Sequence, residues 1–116
     1  MLQGACHCGA VNLTLARLPQ SITEGNCSIC RRLGARWAYY RARLVGLSGA
    51  TESYVWGDRM IGLHHCPTCG CTTHWKALKP DRINRMGVNI RLFDPAAMAS
   101  VRVRRFDCAD TWEFLD

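Results

Sequence analysis

Short segments in which apolar and polar residues alternate dominate the chain. Residues 11–15 and 88–92 place their apolar side chains on one face of an extended segment. This period of two predicts strands rather than helices, because successive side chains of a strand point to opposite faces. Five further short strands are expected at 37–43, 51–56, 60–65, 72–75 and 101–105.

Helix signals are scarce. Asp94 followed by Pro95 resembles an N-cap with proline at the first helical position, and one helical turn is expected after Cys30. The 116 residues contain no linker, repeat or apolar run of the roughly 20 residues that a membrane span needs. We therefore expect one mainly β domain over residues 1–116, with short strands, little helix and no membrane association.

Seven of the eight cysteines lie in three close groups. The groups are Cys6 and Cys8, then Cys27 and Cys30, then Cys66, Cys69 and Cys71. A disulfide framework is the alternative use of so many cysteines, and it is typical of secreted proteins. The start of the chain shows no basic segment followed by an apolar run, so we expect a cytoplasmic protein with reduced, metal-binding thiols.

The strongest chemical signal is the pair Cys6 and Cys8 taken together with Cys66 and Cys69. A Cys-Pro-Thr-Cys-Gly segment has the form of a zinc knuckle, and a Cys-x-Cys pair supplies two further thiolates. Four thiolates complete the tetrahedral shell of Zn²⁺ and leave no position for substrate. The sequence therefore predicts a structural zinc that joins the beginning of the chain to its second half.

The net charge of +6 raises the question of nucleic-acid binding. A four-thiolate zinc site would lower this charge, and the arginines are spread from Arg17 to Arg105 rather than forming one run with interleaved aromatic residues. Nucleic acid is therefore not the expected partner. Arginine is better suited to recognising carboxylates or phosphates in bidentate fashion.

The ordered motifs of the chain resemble the glutathione-dependent formaldehyde-activating enzyme family, which includes the centromere protein V-like proteins. The resemblance runs from Gly4 to about Glu113 and rests on the segments 4–11, 26–32, 66–70, 88–91 and 103–107. It implies a zinc-bearing fold known as the β-tent and a carbon–sulfur lyase activity. The reference reaction is the reversible addition of the glutathione thiol to formaldehyde, which gives S-(hydroxymethyl)glutathione.

The resemblance also implies a second, catalytic zinc at the middle cluster. Enzymatic members carry Cys-x-Cys-x-x-Cys there, whereas this chain has Gly25 at the first position and keeps Cys27 and Cys30. The site must therefore recruit a third ligand, bind metal only together with substrate, or stay empty. Cys71 is the expected third ligand and His74 the next candidate, followed by His64 and His65. Cys108 is expected to be a free thiol.

A glutathione-like substrate carries two carboxylates. Arg31, Arg32 and Arg91 are the expected anchors, with Asn89 as a polar orienting group. The alternative for each arginine is a solvated surface residue that binds no substrate. Five aromatic residues could line a substrate cleft, although packing inside the sheets is their more usual role; they are Trp37, Tyr39, Tyr40, Trp56 and Trp75.

Three classes of function fit these observations. The first is a zinc-dependent enzyme that acts on thiol–aldehyde adducts such as that of glutathione and formaldehyde. The second is a non-catalytic, zinc-stabilised module that binds protein or nucleic acid, which the glycine at position 25 favours. The third is a thiol or metal buffer, which fits the cysteine count but not the distinct motifs around each cluster. The sequence favours the first class.

Overall fold

The computed structural model describes residues 1–116. It contains ten short strands, two short helices and two 3₁₀ turns, which confirms the mainly β fold with little helix. No helix is both long and apolar enough to cross a lipid bilayer.

The strands are β1 (Leu2–Ala5), β2 (Asn12–Leu15), β3 (Ile22–Gly25), β4 (Trp37–Arg41), β5 (Val45–Ser48), β6 (Glu52–Tyr54), β7 (Ile61–His65), β8 (Thr72–Ala77), β9 (Arg85–Asn89) and β10 (Val103–Phe106). The helices are α1 (Ser28–Leu33) and α2 (Pro95–Met98), and the 3₁₀ turns are Ala42–Leu44 and Ile90–Leu92.

The strands form two sheets. β1, β2 and β5 make an antiparallel three-stranded sheet, and the other seven strands form a second sheet in the order β10-β3-β4-β9-β8-β7-β6. Every pair in the second sheet is antiparallel except β10 with β3, which run parallel and in register from Val103 opposite Ile22 to Phe106 opposite Gly25. This parallel pair brings the last strand of the chain beside the segment that leads into the middle cysteine cluster.

Most of the predicted elements form, with shifted ends. The alternation at 11–15 becomes β2, with Leu13 and Leu15 buried and Asn12 exposed. The strand predicted at 88–92 ends earlier, because the Asn89 side chain accepts a hydrogen bond from the backbone N–H of Arg91 and the chain turns there into a 3₁₀ helix. Asp94 caps α2 as predicted, through the N–H of Ala96. Strands β1, β3 and β5 were not predicted.

The seven-stranded sheet is covered differently on its two faces. Alternate residues of its central strands, such as Ala38 in β4 and Met86 in β9, pack into the main core together with Leu13 of the smaller sheet. The opposite face carries Trp37 and a smaller buried cluster. One face therefore stabilises the fold, and the other is the floor of a cleft.

Two cysteine clusters and a cleft

The first cysteine cluster lies where the tips of two hairpins meet. Cys6 and Cys8 occupy the turn between β1 and β2, and Cys66 and Cys69 occupy the turn between β7 and β8. Backbone hydrogen bonds close each turn, one from the N–H of Cys6 to the carbonyl of Val11 and one from that of Cys66 to the carbonyl of Cys71. The four sulfur atoms lie within 4.8 Å of one another. The cluster thus joins the two sheets.

The spacing of these sulfurs fits a tetrahedral metal shell. A Zn–S bond of about 2.3 Å gives neighbouring sulfurs a separation of roughly 3.8 Å at the edge of a tetrahedron. Cys6 Sγ lies 3.7 Å from Cys8 Sγ, and Cys8 Sγ lies 3.6 Å from Cys66 Sγ. The N–H of Val11 donates to Cys6 Sγ at 3.3 Å, which further favours a thiolate. This cluster can hold a metal ion with four ligands.

Cys71 lies beside the first cluster and not in the second. It follows the Cys66–Cys69 turn and packs against the main core. Burial raises the pKa of the Cys71 thiol, and the neighbouring Cys69 raises it further. The expectation that Cys71 turns toward Cys27 and Cys30 is corrected here, because the hairpin that holds Cys66 and Cys69 fixes Cys71 at the opposite metal cluster.

The second cluster consists of Cys27, Cys30 and Cys108, whose sulfurs also lie within 4.8 Å of one another. Cys27 caps α1, where its sulfur accepts a hydrogen bond from the N–H of Cys30 at 3.4 Å. The parallel register of β3 and β10 continues beyond the two strands, so that Cys108 lies beside Cys27 and Asp107 beside Asn26. The sequence predicts a free thiol at Cys108, whereas its sulfur lies with those of Cys27 and Cys30 as the third member of this cluster.

Three hydrogen bonds hold the two segments of the second cluster together. The Asn26 side chain donates to the Asp107 carboxylate at 2.9 Å and accepts from the N–H of Ala109 at 3.0 Å. The N–H of Cys27 donates to Cys108 Sγ at 3.2 Å. The other carboxylate oxygen of Asp107 accepts two hydrogen bonds from Thr111. These contacts determine where Cys108 lies relative to Cys27.

Gly25 explains how Cys108 reaches this position. A Cβ atom at residue 25 would lie 2.9 Å from Cys108 Sγ and 3.1 Å from Cys30 Sγ, which is closer than real Cβ contacts normally come. The Cys108 sulfur thus occupies the space beside residue 25 in which a side chain would lie. The resemblance described above places a cysteine at position 25, so the chain supplies a third thiol to the same place from a different strand.

The thiols of the second cluster favour a bound cation. Burial and the neighbouring Cys27 thiol raise the pKa of Cys30 to about 12, and burial also raises the pKa of Cys108. Burial opposes ionisation of Cys27 as well, but hydrogen bonds from Cys30 and Cys108 leave its pKa lowered overall. Ionisation of Cys27 is therefore favoured over ionisation of Cys30 and Cys108. A divalent metal would offset the burial and repulsion that oppose three thiolates.

The second cluster forms part of the wall of a cleft with a volume of about 760 Å³. Of the 19 residues that line this cleft, 14 are hydrophobic. All four tryptophans of the chain are among them, together with Tyr39, Phe106 and Phe114. Of the five aromatic residues named from the sequence, only Tyr40 lies elsewhere, in the main core. The cleft gives small molecules access to the three thiols.

None of the four residues expected to bind substrate lines this cleft. Arg31 and Arg32 lie on the exposed side of α1, and Arg91 donates from Nε to the carbonyl of Gly34. Asn89 is buried, and its amide is engaged by the N–H of Arg91 and by the carbonyl of Thr72. Arg91 contributes instead to a separate, smaller cavity of about 290 Å³.

The histidines considered as ligands are members of neither cluster. His64 and His74 stack with ring centroids 4.4 Å apart, and Thr73 Oγ1 lies 2.8 Å from His74 Nδ1. His65 is near the carboxylate of Glu52, at 3.4 Å. Burial is the main cause that lowers the pKa of His74, to about 3, so this ring is neutral inside the fold.

Comparison with known proteins decides the family. The family model described as "Glutathione-dependent formaldehyde-activating enzyme" matches residues 1–107. The chain belongs to this family. The crystal structure of a Rhodobacter sphaeroides protein, determined as a structural genomics target, matches with a TM-score of 0.69 and 30% identity over 88% of this chain and 99% of that chain. None of the curated proteins compared matches significantly.

The match to the glutathione-dependent formaldehyde-activating family ends one residue before Cys108. The residues matched by the family model therefore do not include this cysteine, and local sequence gives no signal for it either, because Cys108 stands alone between Asp107 and Ala109. One signal was available in the sequence. A ligand is missing at position 25 and one cysteine of eight is left without a group, so the leftover cysteine was a candidate for the missing ligand.

Proposed function

We propose that this protein is a zinc-dependent enzyme that makes or breaks the carbon–sulfur bond of thiol–aldehyde adducts. The observation that carries the proposal is the group of three thiols, Cys27, Cys30 and Cys108, in the wall of an open cleft. Three protein ligands and an accessible fourth position are typical of catalytic zinc, whereas four thiolates are typical of structural zinc. The family description, which names glutathione and formaldehyde, supports the same class of reaction.

The reaction has a simple balance. The sulfur of a thiol adds to the carbonyl carbon of an aldehyde, and the thiol proton moves to the carbonyl oxygen, which gives a hemithioacetal. A zinc ion held by the three thiolates would supply an open position that keeps the substrate thiol ionised or polarises the carbonyl oxygen. The cleft residues hold the two reactants next to each other, since Ile29 and Trp37 line the cleft together with Cys30.

The first test is the zinc content of the reduced, purified protein. Wild type is expected to hold two zinc ions, and the Cys27→Ser/Cys30→Ser variant one. Exchange NMR then measures the rate at which a thiol and an aldehyde form their adduct, which wild type is expected to accelerate and the variant is not. Cys71→Ser is the matched control, because it removes a thiol outside both clusters of ligands.

A single zinc in both proteins would overturn the proposal and favour the non-catalytic binding module. Two zinc ions without any acceleration of adduct formation would exclude the thiol–aldehyde reaction for the compounds tested. A cytoplasmic location, one domain over residues 1–116 and the absence of a nucleic-acid partner belong to the same proposal. The spread of the arginines along the chain supports the last of these.

A further inference from the structure

The lining of the cleft is unusually aromatic and almost uncharged. Seven of the ten aromatic residues of the chain line it, and the acidic and basic lining residues are Asp58 and Arg85. The Arg85 guanidinium lies over the Tyr39 ring, 4.4 Å from its centroid. The two charges have opposite signs, so the cleft has no net cationic character.

This lining does not suit a substrate with two carboxylates. Carboxylates taken out of water need a cationic or hydrogen-bonding partner, and burial without one is costly. Arg85 is the one arginine or lysine among the lining residues, and Arg104 of β10 instead places its guanidinium 3.6 Å from the centroid of the Phe114 ring. The charged parts of glutathione would therefore have to stay outside the cleft.

Two of the tryptophans that line the cleft depend on the backbone next to them. Trp75 lies across Gly87 of the neighbouring strand, where any Cβ atom would overlap its indole ring. Trp112 has a positive φ of 62°, which is uncommon for a residue other than glycine. A hydrogen bond from its N–H to the carbonyl of Asp107 holds this turn at 2.7 Å. The indole of Trp112 nevertheless remains 69% exposed at the cleft, where a ligand can cover it.

We propose, resting on the proposed function, that the natural adduct carries a neutral aromatic or branched apolar group which fills this cleft. The group belongs either to the aldehyde or to the thiol, and in both cases it packs against the tryptophans while the reacting carbon and sulfur lie at Cys27, Cys30 and Cys108. On this inference the specificity of the chain differs from that of a site for formaldehyde and glutathione. Aromatic contacts and apolar burial supply the affinity.

Binding is measured by tryptophan fluorescence, because all four tryptophans line the cleft and every fluorescence change reports on it. The probes are benzyl alcohol and its carboxylated analogue 4-(hydroxymethyl)benzoic acid, which cannot react at the cysteines as an aldehyde does. The neutral probe is expected to bind at least about tenfold more tightly than the carboxylate, also in the Cys27→Ser/Cys30→Ser variant. This comparison tests the apolar preference even where the lyase proposal fails.

Met60→Lys tests the electrostatic part of the inference. Met60 lines the cleft and is 60% exposed, so the fold tolerates this change, and Met60→Leu is the matched control. The lysine is expected to narrow or reverse the preference for the neutral probe, whereas the leucine keeps it. An unchanged preference in the lysine variant would place the probe outside this cleft and overturn the inference.

Two reaction mixtures distinguish the source of the apolar group. One contains benzaldehyde and 2-mercaptoethanol, and the other contains formaldehyde and benzyl mercaptan. Faster catalysed exchange in the first assigns the group to the aldehyde, and faster exchange in the second assigns it to the thiol. If glutathione with formaldehyde exceeds both and the carboxylated probe binds most tightly, the inference is wrong while the lyase proposal stands.

Discussion

The two cysteine clusters use similar ligands in opposite settings. The first is formed at the tips of two hairpins by four thiols, of which Cys6 and Cys66 are buried. The second has three partly buried thiols in the wall of a cleft. Four thiols could complete the shell of a metal ion from the protein alone, whereas three would leave one position to a ligand.

The clusters differ equally in how the chain assembles them. Each hairpin of the first cluster supplies two ligands that are close in sequence, so a short turn fixes each pair. The second combines one such pair, Cys27 and Cys30, with a cysteine from the parallel neighbour of β3. The second cluster thus depends on long-range strand pairing, and it is expected to hold metal more weakly than the first.

The largest expected effect follows from removing a ligand of the first cluster. Cys66→Ser should lower the free energy of unfolding by about 3 kcal/mol or more, a quarter of the roughly 10–16 kcal/mol with which structural zinc binds small domains. Such a loss is a large part of the stability of a small protein. Thermal unfolding followed by circular dichroism measures it.

Cys71→Ser is the control for this effect, since it changes a cysteine of the same hairpin outside the cluster of ligands. Its unfolding temperature should stay close to that of wild type. A Cys66→Ser protein as stable as Cys71→Ser would show that the first cluster does not stabilise the fold through metal.

Cys108→Ser should remove the second metal and leave the first. The zinc content is expected to fall from two to one with the fold retained, and adduct formation should slow by at least about 100-fold, because even the loss of an outer partner of a ligand costs 10–100-fold. Elemental analysis and exchange NMR give the two readings. Retention of two zinc ions would contradict the assignment of Cys108.

Moving the third thiol from residue 108 to residue 25 gives a sharper test of this prediction. In Gly25→Cys/Cys108→Ser, the third thiol moves to the position that the family motif uses, and the second zinc should return. Gly25→Cys alone adds a side chain whose Cβ would lie 2.9 Å from Cys108 Sγ, so it should crowd the site. If the double variant still holds one zinc, the two positions are not equivalent.

A smaller effect is expected from the contacts that position Cys108. Asn26→Ala removes the side chain that joins the Asp107 carboxylate to the N–H of Ala109. Metal affinity at the second cluster should fall by about 10–100-fold, as for other residues that orient ligands, and the first cluster should keep its metal. Competition with a chelator measures both affinities. Equal weakening of both clusters would indicate a general loss of stability instead.

Over the range from pH 7 to pH 5, the smallest effect concerns His74, which belongs to neither cluster. Its folded-state pKa of about 3 is below the ordinary value of 6.5, so the unfolded chain takes up a proton that the folded protein does not. Its contribution to stability is therefore complete above about pH 6.5 and is lost as the pH falls toward 3, by at most about 1.4 kcal/mol per pH unit. His64, stacked on it, also has a lowered pKa through burial.

Denaturant unfolding of wild type and His74→Gln between pH 7 and pH 5 measures this contribution. Wild type should lose stability more steeply toward pH 5 than the variant does. Parallel curves would show that His74 does not titrate differently in the folded and unfolded chains.

Several features could be predicted from the sequence because they depend only on residues that are close together along the chain. Alternating residues predicted β2, the Asp94-Pro95 pair predicted the start of α2, and the Cys-x-Cys and Cys-x-x-Cys spacings identified the four thiols that the structure brings together in the first cluster. Strands β1, β3 and β5 were missed, since β1 and β3 contain few apolar residues in alternation and β5 is largely exposed.

The third thiol of the second cluster was decided by tertiary structure alone. Cys108 is 81 residues from Cys27, and only the parallel register of β10 with β3 brings their backbone and sulfur into contact. Trp112 and Phe114, which follow β10 along the chain, also line the cleft. Local patterns specify turns and faces of strands, whereas the pairing of distant strands depends on how the whole core packs.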